Sequence, residues 1–452
     1  MTRTRDWLRS GDGKWMLAVL AVALIVRLIV ALSVTPDPRD GRYDDSVWYD
    51  TTARHLAAGR GYVFDPTVWV TAEGNRIYPD ENELTPTALW PPGYPLTLAA
   101  VYAVTDDSVT AARLLNVAFG ALTCALVYLI ALKLFDRRTA IIAGLALAFM
   151  PSHVLFTSVL LSETYFGFLL ALILAVCVYF VFDRPKPNLP VILGLGVLIA
   201  ATGYVRGEFI AFGAIVALLM VFHFRLRAVL PMLALAVGAA LIITPWTIRN
   251  RSSMGETIVG TTGAGRVIYQ GHNEKTDGGP SLEAFWRLEE DYKDLDRQEI
   301  ELAANKDGTR LAREWAWDNK MRELQLVGLR MHLLMKTDEA GVTWLQSNKP
   351  WFGPEGADRL IFMSTAYFYA LAALLLASAP AWFRWRDRRM WVVLAIIPFY
   401  MLIFGVLFIG DPRYHYAMYI PMAIFAAPGV SMVMRITASQ WREISGGRSF
   451  GS

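Results

Sequence analysis

Two adjacent carboxylates and a phenol form the first group in the chain that could carry out chemistry. They are Asp44, Asp45 and Tyr49, in the stretch Tyr43-Asp-Asp-Ser-Val-Trp-Tyr49. A carboxylate held beside apolar walls can act as a general base toward a hydroxyl group, although adjacent acids in a loop are often simply solvated. Residues 49–59 carry their apolar side chains at helical spacing. The acid pair is therefore predicted to open a helix.

Other charged and aromatic side chains lie at the ends of long apolar stretches. Six of them are Glu163, Arg206, Glu208, Arg249, Arg413 and Tyr414. Ionisable groups at membrane depth are costly and by default suggest function, although a structural ion pair or snorkelling explains any single one. All of them fall on one face of the membrane in the topology given below. Arginines and carboxylates gathered on one face predict an anion site beside a base.

A proline-rich turn, Trp90-Pro-Pro-Gly-Tyr-Pro95, precedes a short apolar stretch. Its prolines fix an extended backbone, and Gly93 permits a tight turn. Residues 94–104 are too few to span a membrane. They are predicted to form a helix at the outer interface, which begins at Tyr94.

Several other kinds of site have no support in the sequence. The six histidines are scattered, without a pair at metal-ligand spacing, and no Gly-x-Ser-x-Gly element of a hydrolase occurs. The glycine-rich stretch 260–265 lacks the Lys-Ser/Thr of a phosphate-binding loop. Cys124 and Cys177 lie in apolar runs, so buried, inert thiols are expected rather than a disulfide framework.

The elements that position these groups are membrane helices. Of the 452 residues, 55% are apolar and only 18% are charged, with a mean hydropathy of +0.36, whereas a soluble domain carries roughly 25% charged residues. The first apolar run is too long for a removable signal peptide, and Arg27 inside it is interpreted as structural. Ten spans are predicted: 15–34, 109–132, 139–157, 159–182, 189–204, 208–223, 228–246, 359–382, 390–409 and 416–434.

Lysine and arginine cluster in alternate connections and predict the orientation. The clusters lie in 1–14, 133–138, 184–186, 225–227, 384–389 and 435–448. By the positive-inside rule, these segments and both termini are cytoplasmic in a multi-pass plasma-membrane protein. The outer loop 35–108 holds twelve acids against five arginines. The second outer loop alternates charge with apolar residues, which favours helices near the bilayer surface.

Three regions follow from this topology. An amino-terminal membrane module covers 1–246 and includes the first outer loop, 35–108. A large outer loop covers 247–357, and carboxy-terminal helices with a cytoplasmic tail cover 358–452.

Taken in order, the motifs resemble those of the C-type-fold membrane glycosyltransferases of family 39. This group includes the protein O-mannosyltransferases, the lipid A aminoarabinose transferases and related bacterial enzymes. No single motif is specific, but their order and spacing are. The motifs are Asp-Asp-x-x-x-Tyr at 44–49, the turn at 90–95, Ala-Arg-Leu-Leu-Asn at 112–116, Ser162-Glu163, Pro-Trp-x-x-Arg-Asn at 245–250, and Arg413-Tyr414.

The resemblance implies an all-α polytopic fold, with about ten spans and interfacial helices in two outer loops. It also implies transfer of a hexose or pentose from a polyprenyl-phosphate donor to a glycan, lipid or protein hydroxyl on the periplasmic or extracellular side. With Tyr49 fixing the register, Asp45 matches the catalytic acid. Ser46 stands where relatives often carry Glu, so the division of roles between Asp44 and Asp45 stays open.

The remaining candidates take substrate-binding roles under this reading. Arginines can stabilise a phosphate leaving group, so Arg206, Arg249 and Arg413 are assigned to the donor phosphate. Tyr414, Glu163, Glu208, Tyr49 and Tyr94 are assigned to the substrate site.

Three further expectations concern partners and cofactors. No metal is required, although Asp44 and Asp45 could hold a divalent cation. Besides its substrates, the expected partner is the lipid bilayer and not nucleic acid.

The main alternative, a transporter or flippase for lipid-linked sugars, predicts repeated halves and broken spans with charges at mid-membrane.

Overall fold

The computed structural model describes residues 11–38, 45–69, 78, 81–348, 351–384 and 387–446. Within these ranges the regular secondary structure is helical apart from one antiparallel pair of short strands, β1 (Val63–Phe64) and β2 (Thr85–Pro86). The helices of the first half are α1 (Gly11–Ser33), α2 (Asp45–Ala57), α3 (Gly93–Thr105), α4 (Val109–Leu134), α5 (Arg137–Ala148), α6 (Pro151–Leu155), α7 (Ser162–Val176), α8 (Leu189–Gly203), α9 (Phe212–Phe224) and α10 (Val229–Met254).

The second half continues the helical pattern. Its helices are α11 (Ala264–Gly271), α12 (Leu282–Glu290), α13 (Arg297–Asp318), α14 (Lys320–Met335), α15 (Ala340–Asn348), α16 (Pro354–Trp382), α17 (Arg388–Leu394), α18 (Ile396–Leu402) and α19 (Tyr419–Gly446). Short 3₁₀ segments cover Pro66–Val68, Phe156–Ser158, Gly207–Ala211, Arg225–Ala228 and Pro412–Met418, and π-helical turns cover Cys177–Val181 and Ile403–Leu407.

Seven segments of the described chain are long and apolar enough to cross a membrane, and a bent pair makes an eighth if it counts as one span. The protein is thus an all-α, multi-pass membrane protein, as predicted, but the number of ten spans is not confirmed. The seven are Gly11–Ser33, Val109–Leu134, Ser162–Val181, Gly207–Met254, Pro354–Pro380, Arg388–Leu407 and Pro412–Met434.

The segment Gly207–Met254 contains two helices that run in opposite directions. Near its start, Glu208 lies beside Tyr400, whose hydroxyl is 3.5 Å from Glu208 Oε1. At the far end of α9, His223 lies 2.8 Å from the carbonyl of Arg184. The chain then reverses at Arg225, which has a φ of +55°. Both predicted spans of this segment are therefore present as helices.

The seventh predicted span has a different end in the structure. The prediction ended it at residue 246, with Pro245-Trp-Thr-Ile-Arg-Asn250 at its outer end. Instead α10 continues through Pro245 to Met254. Trp246 and Asn250 thus belong to the last turns of this helix and not to a loop.

The predicted span 139–157 is wrong as a single straight helix. Helix α5 ends at Ala148, and the next helical stretch, Pro151–Ser158, is bent away by 64°. Met150 is extended, with a ψ of 113°, because the residue before a proline is sterically kept out of the helical region. The break leaves the carboxyl end of α5 inside the protein.

Arg27 of α1 occupies this opening. Its side chain is fully buried and donates to the carbonyls of Ala148 at 3.3 Å and Leu147 at 3.4 Å. It also lies 2.7 Å from Nδ1 of His153. A cation at a helix carboxyl terminus satisfies free carbonyls and opposes the helix dipole. The structure thus gives Arg27 the structural role expected of it.

The segments predicted to be cytoplasmic meet at one end of the molecule. Lys133 Nζ lies 2.7 Å from Asp183, and Arg389 donates to the same carboxylate at 2.9 Å. Which side of the membrane this end faces stays a prediction. Cys124 and Cys177 are both free and buried, as expected.

Helices α11 to α15 build the second large loop. Leu326 and Leu334 of α14 are fully buried, whereas Trp317, Met321 and Leu324 are exposed. The predicted amphipathic helices are therefore present, and their contact with the bilayer surface stays a prediction.

The second large loop joins the membrane helices near Gly410. The amide of Gly410 donates to the carbonyl of Gly278 at 2.8 Å. A Cβ on Gly410 would lie 2.2 Å from the carbonyl oxygen of Arg330. Only glycine allows this approach, which fixes the loop directly before Arg413.

Candidate active site

Four distant segments bring charged side chains together. Arg413 Nη1 donates to Asp45 Oδ2 at 2.5 Å, and its Nε donates to Glu163. Arg206 Nη1 donates to the same oxygen of Glu163 at 2.9 Å, and its Nε donates to Glu208 at 2.8 Å. These five residues form an uninterrupted series, Asp45–Arg413–Glu163–Arg206–Glu208, termed here the arginine–carboxylate chain.

Helix ends position the acids of this chain. Asp45 is the first residue of α2, and Glu163 lies in the first turn of α7. The positive end of a helix dipole stabilises a carboxylate at these positions. Glu208 likewise lies in the first turn of its 3₁₀ segment.

A capped turn positions Arg413. Asp411 caps the 3₁₀ segment Pro412–Met418 by accepting a hydrogen bond from the amide of Arg413 at 2.7 Å. Pro412 fits the first position of this turn because its φ is fixed and no donor is needed there. On the other side, the guanidinium of Arg413 lies 4.6 Å from the ring centre of Trp344. The cation is therefore held by an aromatic face as well as by two acids.

Tyr414 forms an aromatic wall beside Arg206. Its ring stacks on Phe404 with centroids 3.8 Å apart and planes 9° apart. The guanidinium of Arg206 lies 5.2 Å from the centre of the Tyr414 ring. Burial would lower the pKa of Arg206, but Glu208 and Glu163 raise it above the usual value. Arg206 therefore stays charged.

Tyr49 and Tyr94 pack against the same region. The Tyr49 hydroxyl donates to Ser162 Oγ at 3.4 Å, and its ring meets Tyr94 edge to face at 5.1 Å. Tyr94 in turn bonds Asn116. Burial raises the pKa of the Tyr49 phenol, so it acts as a neutral donor.

Exposure differs sharply along the arginine–carboxylate chain. The Asp45 side chain is 25% exposed, whereas Glu163 is 1% exposed and Arg413 is 11% exposed. Glu163 Oε2 is buried and has no hydrogen-bond partner in the described part of the structure. Asp45 is thus the acid that a substrate can reach, and Glu163 is the fixed counter-ion with one free acceptor oxygen.

Arg249 lies apart from this chain. Its terminal nitrogens donate to the carbonyls of Tyr62 at 2.5 Å and Thr87 at 2.7 Å, and it lies over the Trp246 ring at 5.2 Å. The structure brings Arg206 and Arg413 together but not Arg249. Its assignment to the donor phosphate stays a prediction, in competition with a role in holding the outer loop to α10.

Asp44, the second acid of the predicted pair, lies outside the described residues. Within the described ranges, no three His, Cys, Asp or Glu side chains are grouped as metal ligands. Asp45 already pairs with Arg413, a cation that would compete with a metal. Participation of a divalent cation stays a prediction.

Three aromatic residues of the site had not been identified from the sequence. They are Trp344 over Arg413, Phe404 against Tyr414, and Tyr400 beside Glu208. Each lies in a stretch rich in other apolar residues, so no local signal distinguishes it.

An apolar groove opens beside α7, which carries Glu163, and beside the end of α8, which precedes Arg206. It has a volume of about 640 Å³ and lies between α3, α7 and the end of α8. Two of its lining residues, Tyr165 and Val205, lie close in sequence to Glu163 and Arg206. In the lining of the groove, the amide of Gly93 donates to the Tyr204 carbonyl at 2.6 Å. A Cβ at position 93 would clash with that carbonyl.

Comparison with known proteins finds similarity at two levels. Residues 90–248 match the family model described as dolichyl-phosphate-mannose-protein mannosyltransferase. Among solved structures, the oligosaccharyltransferase AglB from Archaeoglobus fulgidus, with an inhibitory peptide and a dolichol-phosphate, superposes with a TM-score of 0.57 over 98% of this chain. The fold is that of the C-type membrane glycosyltransferases.

The similarity lies in the fold and not in close sequence identity. The AglB match has 16% identity, and the same protein tethered to an acceptor peptide gives a TM-score of 0.56 at 16% identity over 99% of this chain. The chain spans about half of AglB, 53% in both cases. ArnT from Cupriavidus metallidurans bound to undecaprenyl phosphate gives a TM-score of 0.42, with 15% identity over 93% of this chain and 77% of ArnT. No curated protein matches the sequence.

The region matched by the family model covers only part of the candidate site of this C-type fold. Glu163, Arg206 and Glu208 lie within 90–248, whereas Asp45 and Arg413 lie outside it. The Asp45–Arg413 end of the arginine–carboxylate chain therefore comes from segments that the family model does not match.

Proposed function

We propose that the protein transfers a sugar from a polyprenyl-phosphate donor to an acceptor hydroxyl group at the outer membrane face. The observation that carries this proposal is the ion pair of Arg413 with both Asp45 and Glu163. It places a cation for a leaving phosphate beside a reachable acid. The fold and the family match support the same class of chemistry.

The apolar groove supports a lipid-linked donor. Its open, mainly apolar lining includes Leu96, Ala100 and Val104, of which Val104 is 82% exposed. A polyprenyl chain is apolar along its whole length, and its burial here would place the phosphate near Arg206 and Arg413. AglB has been seen with a dolichol-phosphate, a lipid phosphate of the class that would leave from such a donor.

Charge balance indicates how a phosphate would enter. The arginine–carboxylate chain holds two arginines and three carboxylates, a formal charge of −1. A phosphate can bind Arg413 only where a carboxylate gives way. Asp45 is that carboxylate, because it is the exposed partner while Glu163 is buried. Donor binding would then release Asp45 from its ion pair.

The released Asp45 acts as the general base. It takes the proton of the acceptor hydroxyl while the hydroxyl oxygen forms a bond to the anomeric carbon. The bond between that carbon and the phosphate oxygen breaks, and the lipid phosphate leaves with the electron pair. Arg413 and Arg206 stabilise the added negative charge. A single displacement of this kind inverts the anomeric carbon.

Glu163 has a second role in this proposal. Its Oε1 orients both arginines, while Oε2 has no partner in the described structure. A hydroxyl of the donor sugar can donate to Oε2. Such a bond would distinguish sugars by the position of that hydroxyl.

A reconstituted transfer assay tests the function. The purified protein in liposomes is given undecaprenyl-phosphate mannose, glucose or arabinose together with an envelope extract as acceptor. The expected result is a glycosylated acceptor and one free undecaprenyl phosphate for each sugar transferred. Movement of intact donor across the vesicle membrane without free lipid phosphate would instead indicate a transporter.

A further inference from the structure

A second charged pair lies fully buried next to the turn that carries Arg413. Asp338 and His415 are both 0% exposed, and His415 Nε2 lies 3.0 Å from Asp338 Oδ1. The other ring nitrogen, Nδ1, lies 2.7 Å from the Leu334 carbonyl. No step proposed above uses either side chain.

The partners of Asp338 are donors. Ser364 Oγ donates to Oδ2 at 2.6 Å, and the Tyr419 hydroxyl donates to Oδ1. Hydrogen bonds to both oxygens favour the carboxylate form. A buried carboxylate requires a cation or a full set of donors. Among the described residues, His415 is the basic side chain in contact with it.

The protons of His415 follow from its two neighbours. A carbonyl oxygen only accepts, so Nδ1 must carry a proton toward Leu334. Nε2 faces a carboxylate oxygen, and two acceptors at 3.0 Å repel unless a proton lies between them. Because Ser364 and Tyr419 already donate to the Asp338 carboxylate, we place this proton on Nε2, which makes His415 an imidazolium paired with Asp338.

This pair fixes both sides of Arg413. His415 follows Arg413 by two residues in the same 3₁₀ segment. Asp338 lies just before α15, whose Trp344 covers the Arg413 guanidinium at 4.6 Å. A tie between Asp338 and His415 therefore holds the turn that carries Arg413 against the aromatic ring that covers it.

We propose that Asp338 and His415 form a buried ion pair that positions Arg413 between Asp45 and Glu163, so both are positioning residues for the transfer. The catalytic part of this proposal rests on the proposed function. The ion pair itself does not, which allows the two to be tested separately.

Two measurements test the ion pair independently of activity. In the ¹⁵N spectrum of histidine-labelled protein at neutral pH, a doubly protonated imidazole is expected that is absent from His415→Gln. In a thermal-unfolding cycle, Asp338→Leu and His415→Phe should each lower Tm by several degrees. The double variant should recover most of that loss. Its two apolar side chains can pack together, whereas each single variant leaves one buried charge without its partner. A neutral His415, or additive losses of Tm, overturns the ion pair.

Coupling to Arg413 tests the positioning role. His415→Gln is expected to lower kcat/KM for transfer by about 10²-fold, the effect of displacing a catalytic group by roughly 1 Å. In an Arg413→Lys background, His415→Gln should lower kcat/KM by less than about 2-fold, because that background has no guanidinium to position. If His415→Gln lowers kcat/KM by the same factor in both backgrounds, the role of His415 is purely structural.

A matched control and a substrate-free readout complete the test. His223 lies 2.8 Å from the Arg184 carbonyl at the far end of α9 from Glu208, so His223→Gln should lower kcat/KM by the same factor in both backgrounds. Binding of undecaprenyl phosphate alone gives the same comparison without transfer. If His415→Gln has the same effect with Arg413 and with Lys at position 413 in both assays, the positioning role is wrong. Absence of transfer by the unmodified protein contradicts only the proposed function.

Discussion

Asp45 and Arg413 are 368 residues apart in the chain, and their side chains are joined by a 2.5 Å ion pair. One lies in the first turn of the helix after the first span, and the other lies at the start of the last span. In the protein without substrate, the proposed base is therefore paired with the cation proposed to bind the donor phosphate. Under the proposed function, donor binding at Arg413 would therefore free Asp45 for the acceptor.

Asp45→Asn is expected to reduce turnover by about 10²–10⁴-fold, because the amide cannot accept a proton. Affinity for undecaprenyl phosphate should stay the same or rise, because Arg413 loses its competitor. Single-turnover rates and direct lipid-phosphate binding measure the two effects. Asp12→Asn removes an acid paired with Arg137 at the opposite end of the molecule and should change neither. Near-normal turnover of a folded Asp45→Asn enzyme would rule out this base.

Arg413→Ala should weaken undecaprenyl phosphate binding by about 2–4 kcal/mol, the value of a charge-assisted contact to a desolvated phosphate. Arg206→Ala should act in the same direction. Arg249→Ala, whose nitrogens bond the Tyr62 and Thr87 carbonyls, should instead lower Tm. Normal lipid-phosphate binding by the Arg413 and Arg206 variants would remove the arginine–carboxylate chain from the donor site.

A bulky residue in the apolar groove should discriminate between lipids of different length. Ala100→Trp narrows the groove and is expected to weaken binding of undecaprenyl phosphate while sparing a ten-carbon analogue. Val237→Trp, at a position 51% exposed on α10 and outside the groove lining, is the matched control. Equal affinity of the Ala100 variant for both lipids would place the polyprenyl chain elsewhere.

The orientation can be tested with single cysteines at Asn75 and Asn188. A membrane-impermeant maleimide should label position 75 in intact cells and position 188 only after permeabilisation. The two native thiols are buried and should not react. Labelling of both positions from outside would contradict the predicted topology.

Acid should weaken the outer loop through Glu323. Burial would raise the pKa of Glu323, but His272 and Arg330 outweigh it and lower the pKa from 4.5 to about 2. Because the folded-state pKa is the lower one, this stabilisation is present above pH 4.5 and is lost as the pH falls toward 2. Tm measured against pH should show the loss. Glu323→Gln should lack it, and Glu283→Gln, 75% exposed, should retain it.

The sequence predicted the parts of the site whose signal is local. Asp45 was expected to open a helix and lies in the first described turn of α2. Glu163, Arg206 and Arg413 were expected at span ends on one face, and their ion pairs place them together. Span ends are visible in hydropathy, because they are where polar residues interrupt long apolar runs.

Other features depended on contacts that no local pattern records. The role of Trp344 requires knowing that α15 lies over the turn at Arg413. The contacts of Arg249 with the carbonyls of Tyr62 and Thr87 likewise join segments far apart in the chain. The break at Met150 was different, because Pro151 is a local signal for a helix break. The long apolar run around Pro151 favoured a single span instead.

Arg27 has a consequence for how the nascent chain is assembled. An arginine at the centre of a lone membrane helix costs about 2.5–3.5 kcal/mol on insertion. Its acceptors, the carbonyls of Leu147 and Ala148, are synthesised 120 and 121 residues later. The first helix must therefore wait with an unpaired charge until the third hydrophobic segment arrives.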